Sequence, residues 1–300
     1  MGVRIDESYV SSNFDFELIT GWRGLSDSAY EAKEREMSDV RERIHDLIDR
    51  FETAGVPVTW NTVGHLALEA CDGHEFDIER DPETDRSDAG LWYAPDLVTR
   101  LLDADADFEI GSHSFSHPQF DTISRERANF ELRRSNEIAS TLGVDMRSFV
   151  YPQNRVGYAE LLADHGFDVV RRHVPSSRFE QAERAARIVT GFDDPSPTQP
   201  RVTTDGVVEI RPSLSLEAYD RPKEEIFTRS PFHRGFKRYL TRGLERTVDE
   251  GGVFHVHGHP EAFRVDMPAR RIEHLIEEIQ RLESDGLEVV TMSEVAALCA

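Results

Sequence analysis

The sequence is poor in lysine, in cysteine and in long apolar segments, and each shortage excludes a class of protein. Three of its 35 basic residues are lysines, and no basic stripe could neutralise phosphates, so neither nucleic acid nor an anionic membrane is expected as a partner. Cys71 and Cys299 lie too far apart in sequence to suggest a disulfide framework. No window approaches about eighteen apolar residues and no signal-like segment follows Met1, which favours a cytoplasmic protein without a membrane span.

Acidic residues dominate the charge. The chain holds 57 Asp and Glu against 35 Lys and Arg, for a net charge of -22. Acid-rich surfaces with little lysine suit proteins that work at multimolar salt, where self-repulsion is screened. The composition therefore predicts a halophilic protein, and an acidic protein from ordinary salt is the alternative.

Short apolar runs alternate with amphipathic helical segments along the 300 residues. This alternation predicts strand–helix units around a mostly parallel sheet. We expect a first strand at 14–19, a helix at 33–54 and a terminal helix capped by Ser293. Residues 72–90 are acidic and 174–204 lack periodicity, so both are interpreted as loop insertions. With no internal repeat or linker, the pattern favours one domain over residues 1–300.

Polar clusters fall at or just past the ends of four predicted strands. In a barrel of parallel strands, that end is where active sites are built. We therefore expect the clusters to converge, although they are far apart in sequence. The clusters are Asp15 with Glu17, His113 with His117, the segment Tyr151 to Arg155, and the histidines His255, His257 and His259.

A metal site is the chemistry that the first two clusters favour. His113 and His117 can bind one ion from one side, and an acidic residue is the usual third ligand. Asp15 and Glu17 would share one face of a strand. Two carboxylates there are costly to bury unless a cation binds. Together these residues predict a three-ligand site with an open position for water.

The other two clusters suggest proton transfer and substrate binding. Histidines at 255, 257 and 259 can exchange protons near neutral pH, and a second metal site is the alternative interpretation. The backbone N–H groups of Gln153 and Asn154, which follow a proline, could bind an oxyanion. Trp22, Trp60 and Tyr151 are candidate stacking faces for a substrate, with a core position as the alternative for each.

In this order the motifs resemble the polysaccharide deacetylases with a NodB homology domain. The resemblance rests on Asp-x-Glu at 15–17, Glu-Ile-Gly-Ser-His-Ser-Phe-Ser-His-Pro at 109–118, Phe-Val-Tyr-Pro-Gln-Asn at 149–154 and His-Gly-His-Pro at 257–260. It implies a distorted (β/α) barrel with about seven parallel strands. It also implies one divalent metal ion, commonly zinc, held by one acidic residue with His113 and His117.

Carried over residue by residue, the resemblance makes Asp15 the general base and Glu17 the metal ligand, with the reverse assignment open. The arginine that orients the base in the family falls on Val150. Its replacement could be Arg147, Arg155, Arg171 or Arg172. His259 matches the family's histidine acid in its His-Pro form, and His257 and His255 are alternatives. Tyr151, Gln153, Asn154, Arg155 and Trp22 fall on the substrate and oxyanion side.

These expectations combine into a metal-dependent hydrolase that removes an N-acetyl group from an amino sugar in a glycan or glycan precursor. The departures from the family at positions 16 and 150 keep two alternatives open. One is hydrolysis of a linear or cyclic amide that is not a sugar, and the other is an inactive glycan-binding barrel. The partner would then be a carbohydrate or amide small molecule, and the sequence predicts no oligomeric state.

Overall fold

The computed structural model describes residues 2–70, 75–76, 89–172, 195–216, 231–262 and 267–300. Most of the expected insertion at 72–90, the 174–194 part of the second insertion and Cys71 lie outside the described residues. Within the described ranges, no helix is both long and apolar enough to cross a membrane.

The strands form one curled sheet. Its order is β6-β7-β5-β4-β3-β2-β1-β9-β8, with β10 paired to β1. The run from β7 to β8 is parallel throughout, and β6 is antiparallel to β7. The predicted distorted (β/α) barrel is thereby confirmed. The strands are β1 Ser8–Phe16, β2 Thr59–Thr62, β3 Glu109–Ser112, β4 Ser148–Val150, β5 Val169–Arg171, β6 Arg201–Val202, β7 Val208–Ile210, β8 Leu214–Ser215, β9 Gly252–Gly258 and β10 Leu287–Val289.

Helices alternate with these strands along the chain. In chain order they are α1 Asp27–Glu36, α2 Val40–Ala54, α3 Ala89–Trp92, α4 Pro95–Leu102, α5 Arg125–Leu142, α6 Leu161–Asp164, α7 Pro231–Glu250, α8 Met267–Leu282 and α9 Met292–Ala297. Short 3-10 turns follow four of the strands, among them Leu18–Trp22 after β1 and Pro152–Asn154 after β4.

Helix α2 shows how the apolar pattern builds the core. Its large apolar side chains recur every three or four residues and are all buried, and Gly55 ends the helix in the left-handed conformation at φ 64°. The ring of Phe51 packs on Phe14 of β1 at 5.6 Å between centroids. Truncating Phe51 to alanine would cost about 3–5 kcal/mol of stability. This face of α2 therefore anchors the strand that leads into the polar clusters.

Three boundaries differ from the predictions. The first strand is Ser8–Phe16 rather than 14–19, because the chain turns sharply at Glu17 and Leu18. The helix expected over 33–54 is two helices with a break after Glu36. Thr291, not Ser293, caps the last helix, since its hydroxyl accepts the N–H of Glu294 while the Glu294 carboxylate accepts the N–H of Thr291.

The register aligns the carboxyl ends of the strands. Phe16 pairs with Thr62, and Thr62 with Ser112, each the last residue of its strand. Val150 pairs with Arg171, and Arg171 with Ile210, in the same way. Polar residues that follow or end these strands are therefore carried to one rim of the barrel.

Candidate active site and metal centre

Glu17 enters the site through a sharp turn, not from the face of a strand. Strand β1 ends at Phe16, and Leu18 adopts a positive φ of 48°. The following 3-10 turn folds back over the Glu17 side chain. A Cβ atom at Gly21 would lie 2.0 Å from Glu17 Oε1. The carboxylate thus occupies space that any side chain at position 21 would fill.

The loop after β3 carries the histidine pair in a constrained conformation. Ser114 and His117 have positive φ values of 64° and 60°, which is unusual for residues other than glycine. The Ser114 hydroxyl accepts the N–H of His117 at 2.9 Å. The carbonyl of Ser114 accepts the N–H of Gly64 at 2.9 Å. These bonds offset the strain and bring both imidazoles to the barrel mouth.

Glu17, His113 and His117 converge on one point. Glu17 Oε2 lies 3.2 Å from His113 Nε2 and 2.8 Å from His117 Nε2, and the two nitrogens are 3.2 Å apart. Atoms that each lie about 2 Å from one shared ion are about 3 Å from one another. All three residues are buried. Among the described residues, this is the single group of three or more acidic, histidine or cysteine side chains that could hold a metal ion.

The protonation of His113 suits metal binding. Its Nδ1 lies 2.8 Å from the carbonyl oxygen of Val150, which can only accept, so Nδ1 carries the hydrogen. Nε2 is therefore left with a lone pair directed at Glu17 and His117. One carboxylate with two neutral imidazoles is a donor set that zinc and similar divalent ions accept. The residues present thus fit the metal that the resemblance implies.

Burial and charge oppose each other at these ligands. Burial lowers the pKa of His117, more than the neighbouring Glu17 carboxylate raises it. Burial alone would raise the pKa of Glu17, but the neighbouring His117, and then His113, hold that pKa well below its usual range. The carboxylate is consequently ionised at neutral pH, as a metal ligand must be.

Asp15 is held by an arginine from a distant strand. Arg171, at the end of β5, donates from Nη1 and Nη2 to the two carboxylate oxygens of Asp15 at 2.7 and 2.6 Å. Both side chains are buried. Burial alone would raise the pKa of Asp15, but Arg171, then His113 and His259, hold it below its usual range. Asp15 is therefore an ionised carboxylate beside the metal-ligand group.

Among the four candidate arginines, Arg171 is the one that the structure places on Asp15. Arg147 pairs with Asp168, Arg155 with Asp121 and Arg172 with Glu209, all at the surface. Arg171 is also the register partner of Val150, where the resemblance places the family's arginine. A neighbouring strand thus supplies the guanidinium to the same region of the barrel.

Asn13 links the polar residues around Asp15 by hydrogen bonds, and the sequence analysis did not identify it. Its Nδ2 donates to Asp15 Oδ1 at 2.9 Å and to Asn61 Oδ1 at 2.8 Å. Its Oδ1 accepts from Arg171 Nη1 at 3.1 Å and faces His255 Nε2 at 3.1 Å. Both donors and both lone pairs of the amide are then in use. Its position two residues before Asp15 on the same strand face was the available signal.

The three late histidines occupy different environments. His255 is fully buried, and its Nε2 must carry the hydrogen because it faces the accepting oxygen of Asn13. Burial first, then the charge of Arg171, lower the pKa of His255 to about 3. His257 donates from Nδ1 to the carbonyl of Leu214 at 3.1 Å, and burial holds its pKa well below the usual value.

His259 follows the end of β9 and is the most accessible of the three. Its side chain is 32% exposed, and its Nε2 lies 3.5 Å from Asp15 Oδ2. The strand ends at Gly258, as the sequence suggested. Within the described part of the chain, these histidines do not assemble a second group of metal ligands.

The residues that follow β4 are mostly engaged in contacts with other residues of the protein. Tyr151 is buried, with its ring 5.4 Å from that of Phe120, so its side chain is part of the core. The N–H of Asn154 donates to the carbonyl of Tyr151 at 2.9 Å, so it is not directed at an oxyanion. The Asn154 side chain accepts from Arg171 at 3.4 Å. Gln153 is exposed and bonds Gln119 at 2.6 Å.

The remaining predicted substrate residues also have protein partners. The Trp60 ring is fully buried beside Phe14 and Phe16, so it belongs to the core. Trp22 is half-buried, and Lys33 Nζ lies 4.0 Å from the centre of its ring. Arg155 is exposed and pairs with Asp121 at 2.8 Å. Trp22 and Arg155 therefore lie at the surface.

Comparison with known proteins agrees with this fold. The family model described as polysaccharide deacetylase matches residues 32–170. A structure from Mycobacterium smegmatis, assigned to the polysaccharide deacetylases, shares 16% identity over 100% of this chain and 92% of its own, with a TM-score of 0.63. The resemblance predicted from the motifs is thereby confirmed, and the family match includes His113 and His117.

Two further structures are more distant. A family 4 carbohydrate esterase from Streptomyces lividans, in complex with acetate, shares 14% identity over 93% of this chain and 90% of its own, with a TM-score of 0.43. A family 4 acetyl xylan esterase from Clostridium thermocellum, in complex with a cobalt ion, shares 16% identity over 97% of this chain and 91% of its own, with a TM-score of 0.41. No curated protein sequence matches the chain significantly.

Proposed function

We propose that this relative of the polysaccharide deacetylases is a metal-dependent hydrolase that removes an N-acetyl group from an amino sugar in a glycan or glycan precursor. One observation carries the proposal. A buried three-ligand group, Glu17 with His113 and His117, lies beside an ionised carboxylate, Asp15, that has its own buried arginine. Metal-assisted amide hydrolysis needs this combination of a ligand group and a nearby base.

Glu17, His113 and His117 would hold the metal, and zinc is the ion that we expect. When bound, a divalent ion polarises the amide oxygen and lowers the pKa of a coordinated water. The protein supplies a buried carboxylate and two imidazole Nε2 atoms for it. The hydrogen bond from His113 Nδ1 to Val150 keeps one of those imidazoles in the required tautomer.

Asp15 is proposed as the general base. Its carboxylate is ionised, and Arg171 holds it by two hydrogen bonds of 2.7 and 2.6 Å. Asn13 donates a third bond to Oδ1. A carboxylate so fixed can take a proton from water at Oδ2, the oxygen that also faces His259. This assignment leaves Glu17 as the acidic metal ligand, because it is the carboxylate that lies against both histidines.

His259 is proposed as the acid that protonates the leaving amine. It is partly exposed at the barrel mouth and lies near the proposed base. His255 is unsuited to that role, since it is fully buried, bonds Asn13 and stays neutral with a pKa of about 3. His257 is the second choice, because it is less buried than His255 and its Nδ1 donates to Leu214.

The oxyanion and substrate contacts are assigned by position. We assign the developing oxyanion to the backbone N–H groups of Tyr151 and Gln153, since that of Asn154 is engaged in the turn. Arg155 and Trp22 are proposed as surface contacts for the rest of the substrate. We propose a carbohydrate carrying an N-acetyl group as the substrate.

Acetate release from N-acetylglucosamine oligomers tests the function. The full chain, loaded with zinc or cobalt, should release acetate, and a chelator should abolish the release. Asp15→Asn should lower kcat by about 100-fold or more, the usual contribution of a general base. His45→Ala, which changes a half-buried histidine of α2 far along the chain from these motifs, is the matched control and should leave the rate unchanged.

A second candidate function has two observations in its favour. The guanidinium beside Asp15 comes from β5 rather than from the β4 position of the family, and Phe16 separates the two acidic residues. A metal-dependent hydrolase of a non-sugar linear or cyclic amide would tolerate both departures. Ring opening of a cyclic imide without acetate release would favour that function. Sugar binding without bound metal would instead favour an inactive glycan-binding barrel.

A further inference from the structure

We infer that Glu131, a buried carboxylate of α5, is a positioning residue that fixes the loop between the two metal-ligand histidines. The inference rests on the metal site of the proposed function. Glu131 is fifteen positions beyond Ser116 and contacts neither histidine in the hydrogen bonds of the site. It acts through Ser116, the residue that precedes His117.

The hydrogen bonds between Glu131 and Ser116 are short and buried. The N–H of Ser116 donates to Glu131 Oε2 at 2.7 Å, and the Ser116 hydroxyl donates to Oε1 at 2.5 Å. Both residues have no solvent exposure. A carboxylate that accepts two donors in a dry environment forms stronger bonds than a neutral acceptor. Each carboxylate oxygen of Glu131 is thus committed to one loop residue.

The loop needs such support because its backbone is strained. Ser114 and His117 both adopt positive φ, which costs on the order of 1–3 kcal/mol for each residue unless the surroundings enforce it. Backbone N–H groups of Gly64 and His65 bond the carbonyls of Ser114 and Phe115. Those contacts hold the first half of the loop, and Glu131 holds the residue immediately before His117.

A general stabilising role would not require a buried charge. Among the described residues, the cation paired with Glu131 is Arg127, whose Nε lies 3.7 Å from Glu131 Oε1, beyond hydrogen-bonding distance. Burying a carboxylate is costly even when a cation lies nearby, and an apolar side chain would pack at lower cost. The geometry therefore points to the orientation of Ser116 and His117 as what the carboxylate provides.

Cobalt(II) affinity tests the inference without any substrate. The metal-free full chain is titrated with Co²⁺ alone, and binding is followed by the visible absorption of the ion. Glu131→Leu keeps the volume but removes both acceptors, and should weaken binding by about 10-fold or more, as loss of outer partners of metal ligands does. Glu131→Gln should stay within about threefold, because its amide can accept the N–H and donate to the hydroxyl.

Matched controls separate positioning from folding. Glu126→Gln changes an exposed glutamate of the same helix, and Ser140→Ala removes an exposed serine hydroxyl of α5. Both should bind Co²⁺ as the wild type does. A role confined to stability would lower the melting temperature of Glu131→Leu and leave its Co²⁺ affinity and absorption spectrum unchanged at 20 to 30 degrees below melting.

The outcomes are distinct. A folded Glu131→Leu with wild-type affinity and spectrum would overturn the role of Glu131. If that variant does not fold, Ser116→Ala takes its place. A Co²⁺ affinity of Ser116→Ala equal to that of Ser140→Ala would overturn the positioning role of Glu131. A Co²⁺ affinity weakened by about threefold or more would support that role. A wild type that binds no Co²⁺ would instead remove the metal site itself, and with it the proposed function.

Discussion

At the scale of single residues, the site depends on saturated hydrogen bonding. Asn13 uses all four of its hydrogen-bonding positions to join Asp15, Arg171, Asn61 and His255. The sequence could predict residues whose type is typical of metal binding or proton transfer. It places Asn13 on the same strand face as Asp15 but does not mark an asparagine there as functional, and it cannot choose Arg171, because that choice depends on the pairing of β4 with β5.

The first prediction for a single residue concerns Arg171. Arg171→Lys keeps the charge but cannot make two parallel hydrogen bonds, so the Asp15 carboxylate loses its fixed orientation. We expect kcat for acetate release to fall by about 100-fold while the metal content stays that of the wild type. Steady-state kinetics with metal analysis of the same samples measures both. Equal kcat in the two proteins would contradict the orienting role.

Arg172→Lys is the matched control for that substitution. Arg172 is the next residue along the chain, is exposed and pairs with Glu209 at the surface. Surface ion pairs contribute about 0–1 kcal/mol, so this variant should keep both its activity and its stability. A parallel loss in both variants would point to a general effect on β5 rather than on Asp15.

At the scale of elements, the ends of the strands matter more than the strands themselves. Periodicity predicted the apolar face of α2 and its termination at Gly55 correctly. It missed the break before α2, although Ser38 and Asp39 are residue types that start helices, because Met37 continues the apolar pattern. It also extended the first strand to residue 19, because the sharp turn begins at Glu17 and Leu18, ahead of Gly21, the first glycine of this segment.

The 3-10 turn after β1 supplies a prediction at this scale. Gly21→Ala places a Cβ atom 2.0 Å from Glu17 Oε1, so either the carboxylate or the turn must move. We expect the Co²⁺ affinity to fall by about 10-fold or more, as for other disturbances next to a ligand. Gly24→Ala is the matched control, because no atom lies within 4 Å of its added Cβ. Similar affinity in the two variants would show that Glu17 is not a ligand.

At the scale of the whole molecule, alternation of strands and helices predicted a mostly parallel sheet, and the family resemblance implied the barrel. The register explains why the clusters meet. Strands of different length end within one residue of one another, from Phe16 of β1 to Ile210 of β7. That alignment depends on pairings between residues far apart in the chain. A single sequence contains the order of the elements but not these pairings. The convergence of the polar clusters could therefore be predicted, but the distances between their atoms could not.

The net charge of -22 yields a prediction for the whole molecule. Repulsion among surface carboxylates is screened over about 10 Å at 0.1 M salt and about 3 Å at 1 M. We expect the melting temperature to rise steadily from 0.1 to 2 M KCl, as measured by calorimetry or circular dichroism. A melting temperature that is constant over this range would contradict the predicted halophilic character.

The central claim is that Glu17, His113 and His117 form one metal site. Its most direct test is the metal content of purified wild type, His113→Ala and the control His45→Ala, measured in parallel by elemental mass spectrometry. We predict about one divalent ion per chain in the wild type and the control, and less than about a tenth of that in His113→Ala, because loss of one of three ligands opens the site. Equal metal content in the wild type and His113→Ala would contradict the account.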